Sequence, residues 1–160
     1  MLDLGFKFAD SYFCLAYPDE FDQPVQMLVR NFQQSHQSRD EKVIEILREG
    51  PNDSYRIISA STETDPIKGS VKVIEELSSF IQNEIIASLE SGLLISSSAL
   101  SIADKVILFP SLKSPGIDLA ATLLVSRQCK YLTHHLAYVA DDVNTWNYLG
   151  LPAAVDSVDW

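Results

Sequence analysis

Residues 105–124, KVILFPSLKSPGIDLAATLL, carry the one stretch whose layout suits phosphate chemistry. An apolar run (Val106, Ile107, Leu108, Phe109) leads into a Ser/Pro/Lys/Gly loop. Helix formers follow, with apolar residues at Ile117, Ala120, Ala121 and Leu124. A working loop of this kind reads G-x-x-x-x-G-K-[ST]: glycines turn backbone N–H groups inward, lysine neutralises phosphate oxygens and the hydroxyl holds Mg²⁺. Over residues 110–117 every special position differs. Pro110 and Pro115 stand for the glycines, Gly116 for the lysine and Ile117 for the hydroxyl residue. Proline also lacks the N–H that such a cradle uses. Lys113 is a cation in the wrong place for that geometry, and a helix N-terminus alone attracts an anion weakly. The pattern therefore predicts a degenerate phosphate loop with no bound nucleotide.

The remaining reactive residues form no stronger constellation. His134 and His135 are neighbours on an expected strand, so they point to opposite faces and do not chelate one ion. His36 lies in a distant polar loop. Ser96, Ser97 and Ser98 lack the G-x-S-x-G setting of a nucleophilic serine. Asp141 and Asp142 follow a strand, where carboxylates can serve metal or catalysis. They serve equally as N-terminal charges for a helix in VNTWNYLG, the preferred reading. Cys14 and Cys129 have no metal-ligand spacing and read as buried free thiols in a reducing compartment. No catalytic residue, metal or cofactor is expected.

The elements that position these residues follow from periodicity. Residues 6–9 and 12–16 read as a short hairpin or bent strand, and Phe21, Val25, Leu28, Val29 and Phe32 predict a helix over 19–34, with Pro24 in its first turn. KVIEILREG and YRIISAST form a hairpin across Gly50-Pro51-Asn52-Asp53. Val71, Ile74, Leu77, Phe80, Ile81, Ile85 and Leu89 fall at spacings of three and four, which predicts an amphipathic helix capped by Ser70 and stopped by Gly92. Two strands joined at 102–105, a helix over 115–126 and a strand in KYLTHHLAYVA complete the core. Trp146, Tyr148, Leu149 and Trp160 give the tail an aromatic and apolar character suited either to closing the core or to meeting a partner.

The expected fold is α/β (or α+β), a central mixed sheet with two main helices. Residues 1–65 form a mixed N-terminal lobe, residues 66–160 the long helix and strand-strand-helix-strand core, and the two make one compact unit. The 160 residues are 46% hydrophobic and 21% charged, ordinary for a soluble globular protein. No apolar run spans a membrane, and the N-terminus lacks the pattern of a signal peptide. The net charge of −10 excludes general nucleic-acid binding, which needs clustered Lys and Arg. It permits steering toward a basic protein or peptide.

The stretch SGLLISSSALSIADKVILFPSLKSPGIDLAATLLVSRQCKYLTHHLAYV resembles the core of the HPr serine kinase/phosphorylase family. The resemblance covers residues 70–140 in pattern and spacing, and residues 1–69 in outline. It implies a P-loop-kinase-like core whose signature residues are gone. Ser97 or Ser98 stands near the family's strand histidine, Gly116 and Ile117 replace the loop Lys and Ser, and His134 and His135 stand where the family has an Asp-Asp pair. Imidazoles do not hold Mg²⁺ as carboxylates do. A shortened, catalytically inert relative follows. Small relatives of the family imply modified-peptide biosynthesis or protein phosphorylation as the setting, and a cytoplasmic accessory or scaffold protein that binds a protein or peptide. The alternative is an enzyme with a reworked pocket using Asp141, Asp142, His134 or Lys113. A third reading is a structural protein unrelated to kinases. A sheet in which the strand before the loop is not beside the 131–140 strand would favour it.

Overall fold

The computed structural model describes residues 1–30, 32–34, 41–50, 53–102, 105–110, 130–133, 136–139 and 148–149. They combine two helices with two sheets and divide into two compact units, Met1–Leu89 and Glu90–Trp160.

The first unit opens with a hairpin of β1 (Leu2–Phe8) and β2 (Ser11–Tyr17), in register from Leu2↔Tyr17 to Phe8↔Ser11. Its tight turn places Ala9 at φ 49°. Beside the turn every second residue is buried: Phe6 and Phe8 on β1, Phe13, Leu15 and Tyr17 on β2. That alternation is what one covered face of a pleated sheet requires. A 3-10 turn (Asp19–Phe21) leads into α1 (Asp22–Val29), which buries Val25, Leu28 and Val29. The helix expected to reach 34 stops at Val29. Gln33 and Gln34 form β3 against Lys7 and Phe6, and Phe32 stacks on Phe6 with ring centroids 4.9 Å apart. Strand pairing and aromatic packing thus outweigh helical periodicity over the last turn.

β4 (Lys42–Glu49) pairs with β2 in parallel, from Phe13↔Lys42 to Ala16↔Glu45. β5 (Ser54–Ile58) returns antiparallel to β4, as the hairpin signal predicted, and β6 (Ile67–Lys68) pairs with Ser54 and Tyr55. The sheet order is β3-β1-β2-β4-β5-β6, mixed through its one parallel pair.

The long helix forms as α2 (Ser70–Ser88). Its buried stripe is Val73, Leu77, Ile81 and Ile85, a strict spacing of four, while Val71 is exposed and Ile74 and Phe80 are half-buried. Gly69, not Ser70, occupies the N-cap position, with φ 87°. Gly92 does not stop the helix either: α2 ends at Ser88, and Leu89 is already extended. α2 belongs to the first unit, which ends at Leu89.

The second unit is built on β7 (Leu93–Ile102). β8 (Lys105–Pro110) pairs with it as a hairpin, Ile102↔Lys105 through Ser97↔Pro110. β9 (Lys130–Thr133) pairs with β7 at Ser101, Leu100 and Ala99, and β10 (Leu136–Val139) at 96 down to 93. The β7–β9 register shifts between Ala99 and Leu100. β11 (Tyr148–Leu149) pairs with β10, and every described pairing in this sheet is antiparallel. Gly92 serves this sheet. A Cβ there would lie 2.5 Å from Tyr138 Cε2 and 2.6 Å from the Val139 carbonyl oxygen, and its φ is 101°. Tyr138 donates from its hydroxyl to the Ser91 carbonyl, 3.0 Å away.

Candidate functional site

The strand before the loop is β8, and its last residue, Pro110, pairs with Ser97. Lys113, Pro115, Gly116 and Ile117 lie outside the described residues, as do His134, His135, Asp141, Asp142, Trp146 and Trp160. The expected helix over 115–126 lies there too. Tyr148 and Leu149, read as partner contacts or core closure, form β11 with their backbone on β10.

β7 separates the two strands that would flank a nucleotide site. β8 lies on one side of β7, β9 and β10 on the other. The strand before the loop is therefore beside neither β9 nor β10, the described parts of the strand expected over 131–140. Ser97 sits on the separating strand. It is fully buried, and among the described residues its Oγ meets no hydrogen-bond partner. A buried polar atom without a partner costs about 1–3 kcal/mol, so this hydroxyl needs a reason. It stands at or next to the position that the resemblance gives to the family's strand histidine.

Sequence reasoning passed over a polar cluster in the first unit. Ser59, Ser61 and Thr62 each donate a hydroxyl hydrogen bond to Glu84 Oε1 on α2, at 2.7, 3.1 and 2.9 Å. Burial pushes the Glu84 carboxyl up, but the three hydroxyls and the charge of Lys42 outweigh it and hold the group below its ordinary value. The strand expected over YRIISAST ends at Ile58, and residues 59–62 leave the sheet for the loop. What was not visible is that α2 folds back across it, because residues 59 and 84 are joined only by tertiary packing.

Two tyrosines fasten the 3-10 turn and the start of α1 to the sheet. Tyr17 donates to Asp22 Oδ1 at 3.1 Å, and Tyr55 donates to Glu20 Oε1 at 2.6 Å. Burial first, then the hydrogen bond to Asp22, pushes Tyr17 up to about 12. Both carboxylates keep these phenols neutral, a structural role. Cys14 is half-buried and free, rather than fully buried, and burial raises its thiol first, with Glu41 and Asp3 adding to the effect. A raised thiol is a poor nucleophile at neutral pH. Cys129 lies outside the described residues.

Among the described residues no group of three or more His, Cys, Asp or Glu could hold a metal ion, and no helix is long and apolar enough to cross a membrane. No family model, no curated protein and no solved structure matches the chain.

Proposed function

We propose that this protein is a non-catalytic accessory or scaffold protein of the cytoplasm, related to HPr-kinase-like proteins, that binds a protein or peptide partner. Modified-peptide biosynthesis is the setting the resemblance suggests. The observation that carries the reading is the loop itself: a strand and loop in the order of a phosphate site, with Pro110, Pro115, Gly116 and Ile117 at its four special positions. Three of the groups that bind phosphate and metal are thereby removed, the glycine N–H cradle, the lysine and the hydroxyl. The net charge of −10 suits a basic partner.

Two assays test this. The purified chain with Mg²⁺-ATP is expected to show no hydrolysis, and Gly116→Lys with Ile117→Ser is expected not to confer it, because His134 and His135 occupy the acidic positions. Hydrolysis that Lys113→Ala abolishes would instead point to a reworked enzyme. The tagged chain is also expected to retain one stoichiometric partner through a moderate salt wash, and the complex should re-form from purified components. Failure to re-form refutes the accessory role.

The strand order favours a second reading. With β7 between β8 and β9, the chain fits a structural protein with no kinship to kinases. Partner binding is common to both readings, and an experimental strand order for residues 111–147 separates them.

A further inference from the structure

Every edge-facing backbone group of β5 has a local cover. β6 covers Ser54 and Tyr55. Beyond them the loop of residues 59–65 takes over. Ile57 donates its N–H to Thr64 Oγ1 at 3.0 Å, Thr64 donates its own N–H to the Ile57 carbonyl at 2.9 Å, and Glu63 bridges Ile58. Ser59 donates its N–H to the Thr62 carbonyl at 2.8 Å. The loop has no apolar anchor of its own. Ala60, Ser61, Thr62, Glu63, Asp65 and Pro66 are exposed, and the nearest buried apolar side chains along the chain are Ile57 and Ile67. Its ion pair, Glu63 with Arg56 at 3.2 Å, is exposed and contributes little. Beyond its bonds to β5, the loop is fastened to α2 by the convergence of Ser59, Ser61 and Thr62 on one carboxylate oxygen.

We propose that residues 59–65 form a strap that guards the edge of the first sheet, and that Glu84 is its latch. An uncovered strand edge offers N–H and C=O groups to other chains, and native proteins cover such edges. Here the cover is polar throughout, so it opens as a unit when the latch is removed while the sheet beneath stays folded. This inference is independent of the proposed function.

Amide hydrogen exchange on the full chain tests it. In Glu84→Ala the amides of Ile57, Ser59 and Thr64 should exchange at least about tenfold faster, since hydrogen bonds to a charged acceptor are among the stronger ones. Amides of β2 should not change. Ser61→Ala with Thr62→Val, which leaves Glu84 in place, should give a smaller change in the same direction. The opened edge should show as concentration-dependent association of Glu84→Ala in light scattering. Unchanged exchange at Ile57 and Thr64, or an equal rise across β2, overturns the latch. Faster exchange without association overturns the guarding role.

Discussion

Gly92 gives the sharpest test of the second unit. Its φ of 101° lies where an L side chain is strained, at about 1–2 kcal/mol. A Cβ would also meet Tyr138 Cε2 at 2.5 Å and the Val139 carbonyl at 2.6 Å, both well inside ordinary contact. The tyrosine cannot simply swing away, because its hydroxyl is tied to Ser91. Forcing atoms into a packed site costs about 1–3 kcal/mol more. Gly92→Ala should therefore weaken the pairing of β7 with β10 by about 2–5 kcal/mol. Gly69 is the matched control. Its φ is 87°, and nothing lies within 4 Å of the added Cβ, so Gly69→Ala should cost the strain of about 1–2 kcal/mol alone. Native-state hydrogen exchange measures both locally, reading β7 and β10 amides for Gly92→Ala and α2 amides for Gly69→Ala. If Gly92→Ala costs no more than Gly69→Ala, the close approach of Gly92 to Tyr138 and Val139 is wrong.

Three further outcomes are expected. The phenol absorbance lost on Tyr17→Phe should titrate at about 12, and Asp22→Asn should bring it only part of the way down, because burial is the larger cause. A raised phenol binds its proton more tightly in the folded state, so its contribution is complete below the ordinary value of 10 and fades as pH rises from there toward 12. Glu84 has the opposite sign. Held below its ordinary 4.5, it stabilises the fold above that pH, and the contribution is lost as pH falls through the folded-state value, with Lys42 the charge acting on it. Glu84→Gln should flatten that acid limb in a urea series, and an unchanged limb refutes the assignment. Ser97→Ala removes a buried hydroxyl that has no partner among the described residues and should stabilise the chain by about 1 kcal/mol in denaturant unfolding, whereas a loss of stability would show that the hydroxyl has a partner.

Local pattern was legible in the sequence, and long-range competition was not. The β1–β2 and β4–β5 hairpins, α2 and the β7–β8 pair were readable, since each is set by neighbours close in the chain. Residues 30–34 show the limit. Their apolar spacing continues α1, yet Phe32 finds Phe6 and Gln33 finds Lys7, partners more than 25 positions away. The parallel pairing of β2 with β4 has no local signal at all. Gly92 was visible as a special residue, but its reason was misread. A helix stop and a close approach to a tyrosine 46 positions later both favour glycine, and sequence cannot separate them. The candidate site was legible as a set of missing groups. Of its phosphate-loop and acidic-pair positions only Pro110 falls within the described residues, so its geometry rests on Pro110, Ser97 and the strands around them.

That geometry still constrains the function. Neighbouring strands in a sheet stand about 4.8 Å apart, so β8 and β9 are about 10 Å apart across β7. A site using groups at the end of β8 together with groups following Thr133 would have to reach over β7. Ser97 is the β7 residue opposite Pro110, and Ala99, two positions on, pairs with Thr133. The one buried, unpartnered hydroxyl of the described residues therefore sits where such a site would have to pass. If the hydroxyl serves a ligand, Ser97→Ala should abolish binding of that ligand while stabilising the free protein. If it serves none, the substitution should stabilise the protein and leave partner binding intact. The same variant thus weighs the reworked-pocket enzyme against the accessory protein, with the gain in stability common to both and binding alone dividing them.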